Sequence, residues 1–200
     1  MRLGYRIVST EPSAVTCIVH DYPLLVDDDD MRRVAEATTD AASFLWELHG
    51  EGRLKSDFSP LPLAHPDGGP ARLLYHSPCH ARIGRDRSPA EHLLRLVPGL
   101  TIEAGDRGCS GMAGTFGLSR RHYRTSLRAG LGLVSAMRSG GVAAGATECS
   151  ACRIQMEQGT RKPTVHPVKL LARSYGLLPG GGAEGLDTLL TATSGTLTTS

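Results

Sequence analysis

Hydrophobic and polar positions along this 200-residue chain alternate between two periods. Tyr5-Arg6-Ile7-Val8-Ser9 has the pattern of a short strand, and Glu11, Pro12 and Ser13 read as the turn after it. Ala14 to His20 fits one short helix. Val34, Thr38, Ala41, Leu45 and Leu48 then recur at steps of four and three, which predicts a single amphipathic helix. Asp30 is its expected N-cap, the run Asp27 to Asp30 lies at its positive end, and Gly50 stops it. A solvated cap accounts for these aspartates better than a calcium loop, whose oxygen ligands need a different spacing.

From residue 71 the pattern becomes regular. Ala71–His76, Leu100–Ala104, Gly141–Thr147 and Pro163–Val165 read as strands. One helix is predicted over 88–97, with Ser88 and Glu91 as a capping box and Pro89 at the first helical position. A longer one is predicted over 119–138, with Tyr123, Leu127, Leu131 and Val134 inward and Arg120, Arg121, Arg124 and Arg128 outward. Further helices are predicted from Cys152 to Gln158 and from Pro167 to Tyr175. This alternation predicts an α/β fold, a mainly parallel sheet with flanking helices. Residues 54–70 hold Pro60, Pro62, Pro66 and Pro70 and read as a linker between residues 1–53 and the regular domain, 71–178. Residues 179–200 are rich in Gly, Thr and Ser and are expected to be disordered.

Composition narrows the function. Hydrophobic residues are 40% and charged residues 21%, enough apolar material for a packed core. Twenty-two basic against twenty acidic residues gives no whole-chain attraction for nucleic acid. Aromatics at 4% argue against a base-stacking platform. No apolar run approaches the roughly 20 residues of a membrane span. Met1 to Ser9 has no signal-peptide core, so the expected location is the cytoplasm. There, five cysteines point to metal binding or redox chemistry more than to disulfides.

Four of those cysteines follow predicted strands. Cys79 lies in Tyr75-His76-Ser77-Pro78-Cys79-His80, Cys109 in Asp106-Arg107-Gly108-Cys109-Ser110-Gly111, and the last two in Cys149-Ser150-Ala151-Cys152. Parallel strands align their carboxyl ends along one edge, where open α/β sheets gather ligands, so distant thiols can meet there. Soft thiolates suit an iron–sulfur cluster or zinc. A C-x-x-C pair opening a helix is also a candidate dithiol redox pair. Gly108, Gly111, Gly114 and Gly117 allow the backbone near Cys109 to approach a bulky centre closely. Their order does not match a nucleotide fingerprint. Cys17 reads as a core residue. His76 is expected to make a structural hydrogen bond, His80 to support the site from behind its ligands, and His166 to be a weaker candidate. The four arginines form either a solvated face or a dock for an acidic electron-transfer partner.

These three segments resemble the cysteine-rich CCG domain. It occurs in the B-subunit of heterodisulfide reductase, in the iron–sulfur C-subunit of anaerobic glycerol-3-phosphate dehydrogenase, and in lactate and glycolate oxidase iron–sulfur proteins. The resemblance covers about residues 71–176 and implies a cofactor held by Cys79, Cys109, Cys149 and Cys152, with His80 and Ser110 supporting it. Ser110 stands where the family pattern has a second, adjacent cysteine. Four thiolates therefore remain of five, and the implied group is a 4Fe-4S-type cluster, ordinary or noncubane, with zinc as the alternative.

By the same resemblance the chain is an electron-transfer module of an oxidoreductase complex rather than a complete catalyst, and it does not bind the organic substrate itself. The implied partners are an FAD-linked dehydrogenase subunit and a ferredoxin-like cluster domain. Electrons would run toward quinone, and any membrane association would be peripheral, through a partner. Residues 1–53 resemble the tail of a first CCG repeat, through Ile7-Val8-Ser9-Thr10-Glu11-Pro12-Ser13, a turn at Tyr22-Pro23-Leu24-Leu25, and the following helix. Pro12, Ser13 and Ala14 replace that repeat's loop cysteines, and its front half is absent. A structural zinc docking module and a thiol–disulfide enzyme using Cys149 and Cys152 remain as other readings.

Overall fold

The computed structural model describes residues 4–61, 63, 71–83, 88–105 and 107–178, so the predicted tail, 179–200, lies outside it. The amino-terminal part runs β1 (Ile7–Ser9), α1 (Pro12–Thr16), a wider π-type turn (Cys17–Asp21), α2 (Tyr22–Leu25), α3 (Asp29–Glu36), β2 (Thr38–Asp40) and α4 (Ala41–Gly50). β1 and β2 pair in parallel, with Ile7 opposite Thr38.

Four expectations change in this part. Pro12 and Ser13 open a helix instead of forming a turn, because proline in the first helical turn has the right φ and gives up an N–H that would go unused. The helical path then continues through Tyr22–Leu25, where the resemblance to a first repeat implies a turn. Asp28, not Asp30, caps α3 by accepting from the Met31 N–H at 2.6 Å. Asp29 and Asp30 lie inside the first turn and pair with Arg32 and Arg33. The helix predicted through Val34 and Leu48 is interrupted by β2. Thr38 and Thr39 are β-branched and extend beside β1, and Asp40 restarts the helix by accepting from the Ser43 N–H at 2.7 Å.

The second part contains β3 (Arg72–Tyr75), α5 (Pro89–Arg95), β4 (Ile102–Glu103), α6 (Tyr123–Ala129), α7 (Leu131–Arg138), β5 (Val142–Ala146), α8 (Ser150–Thr160), β6 (Thr164–Val165) and α9 (Pro167–Ser174). The sheet order is β4-β3-β5-β6, and every pairing is parallel. All four predicted strands are present. The chain leaves β3 toward β4 on one side, then returns to place β5 on the other. The strand order therefore reverses between β3 and β5, the place where such sheets bind ligands.

Side chains alternate across this sheet. Leu73 and Tyr75 pack with Leu93, Leu94, Leu170 and Leu171 of α5 and α9. Leu74 points the other way, to Leu133, Met137 and Met156 of α7 and α8. Each such burial contributes roughly 1.5–3 kcal/mol. Phe58 and Leu61, from the linker-like segment, are buried in the first cluster together with Ala42 of α4.

The helix predicted over 119–138 is in fact two, α6 and α7, meeting at Gly130. Its buried face carries Ser126, Leu133, Val134 and Met137, while Tyr123 and Leu131 are 40% and 59% exposed. Close packing on the Cys109 loop explains the rotation. A Cβ on Gly130 would stand 2.2 Å from the Ser110 carbonyl oxygen, and one on Gly111 would stand 2.1 Å from that of Ser126. Only a face of small residues fits there, so the larger apolar row turns outward. The four arginines are exposed, as expected.

Candidate metal centre

The thiols sit at the carboxyl edge of the second sheet. Cys79 precedes a 3-10 turn, His80–Arg82, just beyond β3. Cys109 arrives on the loop after β4. Cys149, beyond β5, is the N-cap of α8, and Cys152 lies in that helix's first turn. The Cys152 N–H donates to Cys149 Sγ at 3.5 Å, the Gly111 N–H to Cys109 Sγ at 3.2 Å, and the Ser110 hydroxyl to Cys152 Sγ at 3.2 Å. Cys79 shares a hydrogen bond with Cys109, and Cys149 shares one with Cys152. The two pairs are neighbours, since Cys152 also senses the charge of Cys79. The three loops thus place the thiols as two neighbouring pairs at one sheet edge. Cys17 lies apart, in the π-type turn of the amino-terminal part.

Hydrogen bonds divide the protons unequally. Cys149 is lowered to about 7, mainly by the hydrogen bond from Cys152 and further by backbone N–H groups at the start of α8. The Cys152 thiol is pushed up by its bond to Cys149 and by burial. Burial and the neighbouring Cys109 raise Cys79, while Arg82 opposes them. Binding of a soft cation would release such protons.

The donor set suits a soft metal. It offers four thiols, a helix start that favours negative sulfur, and a hydroxyl and N–H groups already directed at sulfur. Behind it, the fully buried Gln155 amide of α8 has no hydrogen-bond partner, beside the Gly130 seat of the Cys109 loop. Among the described residues, no three His, Cys, Asp or Glu side chains are gathered to hold one ion. A closed tetrahedral zinc site would place four sulfurs about 2.3 Å from a single centre.

Three supporting groups escape a reading of the sequence. Glu148, 5% exposed, accepts from the Tyr75 hydroxyl at 2.9 Å and from the Ser88 hydroxyl at 3.0 Å. Burial raises its carboxyl to about 7. This network ties the end of β5 to β3 and to the start of α5. An acidic residue between a small-residue strand and a C-x-x-C pair was the available signal. Glu11 accepts from the N–H and the hydroxyl of Ser150, at 3.0 and 2.9 Å, and so caps α8 from the amino-terminal part. No local signal marks that pairing. His166 accepts from the Val168 N–H at 3.1 Å through Nδ1, and its Nε2 bonds the Thr10 carbonyl at 2.9 Å, so it caps α9 and holds the β1 loop. His76 is buried at the end of β3. His80 is exposed and lines a cavity of about 130 Å³ with Pro12, Val15, Val19 and Ile83.

A parallel α/β sheet with cysteines collected at its carboxyl edge defines a cysteine-rich α/β domain. Residues 73–157 match the family model described as CCG, cysteine-rich domain. Over 174 residues the chain is 32% identical to the C-subunit of anaerobic glycerol-3-phosphate dehydrogenase from Escherichia coli (strain K12), which is 86% of this chain and 41% of that protein. The corresponding C-subunit from Escherichia coli O157:H7 matches with the same identity and coverage. The chain thus spans about two fifths of the length of these curated relatives. Among the described residues no helix is long and apolar enough to cross a membrane.

Proposed function

We propose that this chain is the cluster-holding part of an iron–sulfur electron-transfer subunit, of the anaerobic glycerol-3-phosphate dehydrogenase or FAD-linked oxidase type. One observation carries the reading: Cys79, Cys109, Cys149 and Cys152 lie on three loops at the carboxyl edge of the parallel sheet, within the region that matches the CCG domain. When bound, an iron–sulfur cluster takes up and gives back single electrons. The four cysteines would hold it. Ser110 directs its hydroxyl at a ligand sulfur, which favours the reduced state. Glu148 and Glu11 fix the backbone on which Cys149 sits. A flavin subunit would supply electrons, and a ferredoxin-like cluster domain would stand next in line toward quinone, with any membrane contact made through a partner.

A metal-free dithiol reading is favoured by one feature, the lowered Cys149 thiol beside Cys152 in a C-x-x-C pair. Purification without oxygen, followed by metal and sulfide analysis, visible absorption and electron paramagnetic resonance, separates the readings. The expected result is iron with inorganic sulfide, lost in Cys109→Ser and kept in Cys17→Ser. Zinc alone, without colour, would make the domain structural. A metal-free chain that reduces a model disulfide, with Cys149 and Cys152 becoming oxidised, would make it a dithiol enzyme. Equal metal in both variants would overturn the cysteine assignment.

A further inference from the structure

We propose that the outer face of α6 and α7 is a docking surface for an acidic protein partner that presents an apolar row to it; the surface stands on its own geometry, and the electron-transfer reading supplies only the partner's role. Tyr123, Leu127 and Leu131 repeat as a helix repeats a buried row, yet with the buried Val134 beneath them they line an open groove. Its volume is about 220 Å³, Gly159 lies along it, and Arg138 edges it, donating to the Gly159 carbonyl at 2.7 Å. Phe116 and Leu118, 40% and 53% exposed, extend the apolar surface toward the Cys109 loop. A contiguous exposed apolar surface with a polar rim marks a protein contact.

Charge selects the partner. Residues 107–147 contain no Asp or Glu, although the whole chain carries only +2. Elsewhere Arg6, Arg32, Arg33, Arg53, Arg72 and Arg95 each pair with a carboxylate. Arg120, Arg121, Arg124 and Arg128 are exposed and pair with none among the described residues. Planar guanidinium groups match carboxylates in a two-pronged fashion, so this rim fits glutamates and aspartates around an apolar centre. Location adds a reason for contact there. Gly111 and Gly130 seat α6 and α7 directly on the Cys109 loop, so a partner on this face stands behind the thiol edge.

A synthetic amphipathic helix with leucines on one face and glutamates on the other is the probe, titrated against the full chain by fluorescence anisotropy. The expected result is binding that weakens as salt is added. Reversing two charges, Arg124→Glu with Arg128→Glu, weakens it roughly tenfold. Leu131→Ser weakens it about threefold. Both variants keep wild-type metal content, because these side chains are exposed. Loss of metal from the wild-type chain would sink the electron-transfer reading and leave the titration intact. Equal binding by the charge-reversed variant, or by a lysine-faced peptide to the wild type, overturns the docking surface. So does capture by phosphatidylglycerol vesicles with the peptide left free.

Discussion

The two parallel sheets share a plan and differ in the chemistry of their edges. In the small sheet, β2 ends at Asp40, whose carboxylate accepts from the Ser43 N–H at 2.7 Å and starts α4. In the large sheet, β5 leads to Cys149, whose sulfur accepts from the Cys152 N–H at 3.5 Å and starts α8. The backbone event is the same, a strand end turning into a capped helix. An oxygen cap contributes about 1 kcal/mol and little else. A sulfur cap is longer and weaker, but it keeps lone pairs for a soft metal. On the proposed function, holding a cluster is a property of a few residues at strand ends, and the surrounding α/β plan is common to both sheets. The small sheet also serves the large one, since Glu11 beyond β1 caps α8.

The sharpest way to break this comparison is to put oxygen where sulfur stands. Cys149→Ser keeps an N-cap, so the thermal unfolding midpoint should hold within a few degrees while bound metal falls to background. Its counterpart, Asp40→Ala, should cost about 1 kcal/mol of stability and leave metal content unchanged. If serine at 149 retained the metal, sulfur would not be what separates the two edges.

A second variant tests how tightly the thiol edge is built. Gly111 has φ +86°, and an added Cβ would meet the Ser126 carbonyl oxygen at 2.1 Å. Neither the conformation nor the backbone neighbour can give cheaply. Gly111→Ala should cost roughly 3 kcal/mol in denaturant unfolding. Near-neutral stability would mean that the Cys109 loop does not seat on α6 in this way.

The smallest effect concerns the join between the sheets. His166 is held neutral, with Nδ1 accepting from Val168 and Nε2 bonded to Thr10. Burial lowers its pKa below the ordinary 6.5; Lys169 acts in the same direction, and Glu11 and the Thr10 carbonyl oppose it. A lowered histidine contributes stability above its unfolded pKa and loses it as pH falls toward the folded value. Between about pH 7 and about pH 5, stability should therefore drop by about 1 kcal/mol or less. His166→Asn keeps a cap without a titrating group and should flatten this part of the curve. An unchanged slope would place the pH sensitivity elsewhere.

Much of this is legible in the sequence because local rules act alone. Ser88-Pro89 marks the start of α5, and each strand of the large sheet carries its own apolar run and turn signals. The placement of the cysteines at strand ends follows from strand direction and needs no side-chain detail. What escapes depends on distant partners. β2 is three residues long, too short to interrupt a helical period that continues on both sides of it. The inward row of α6 and α7 departs from the sequence pattern because Gly130 and Ser126, not the leucines, meet the Cys109 loop. Glu148 and Glu11 gain their roles from Tyr75, Ser88 and Ser150, which no periodicity connects to them.

The Glu11–Ser150 contact carries a consequence for assembly. The carboxylate leaves the ribosome 139 residues ahead of the helix it completes. Closing so long a loop costs entropy before any contact returns it. Maturation of the cysteine edge is therefore timed by chain topology, and the first turn of α8 is secured only when two distant stretches of the polypeptide have found each other.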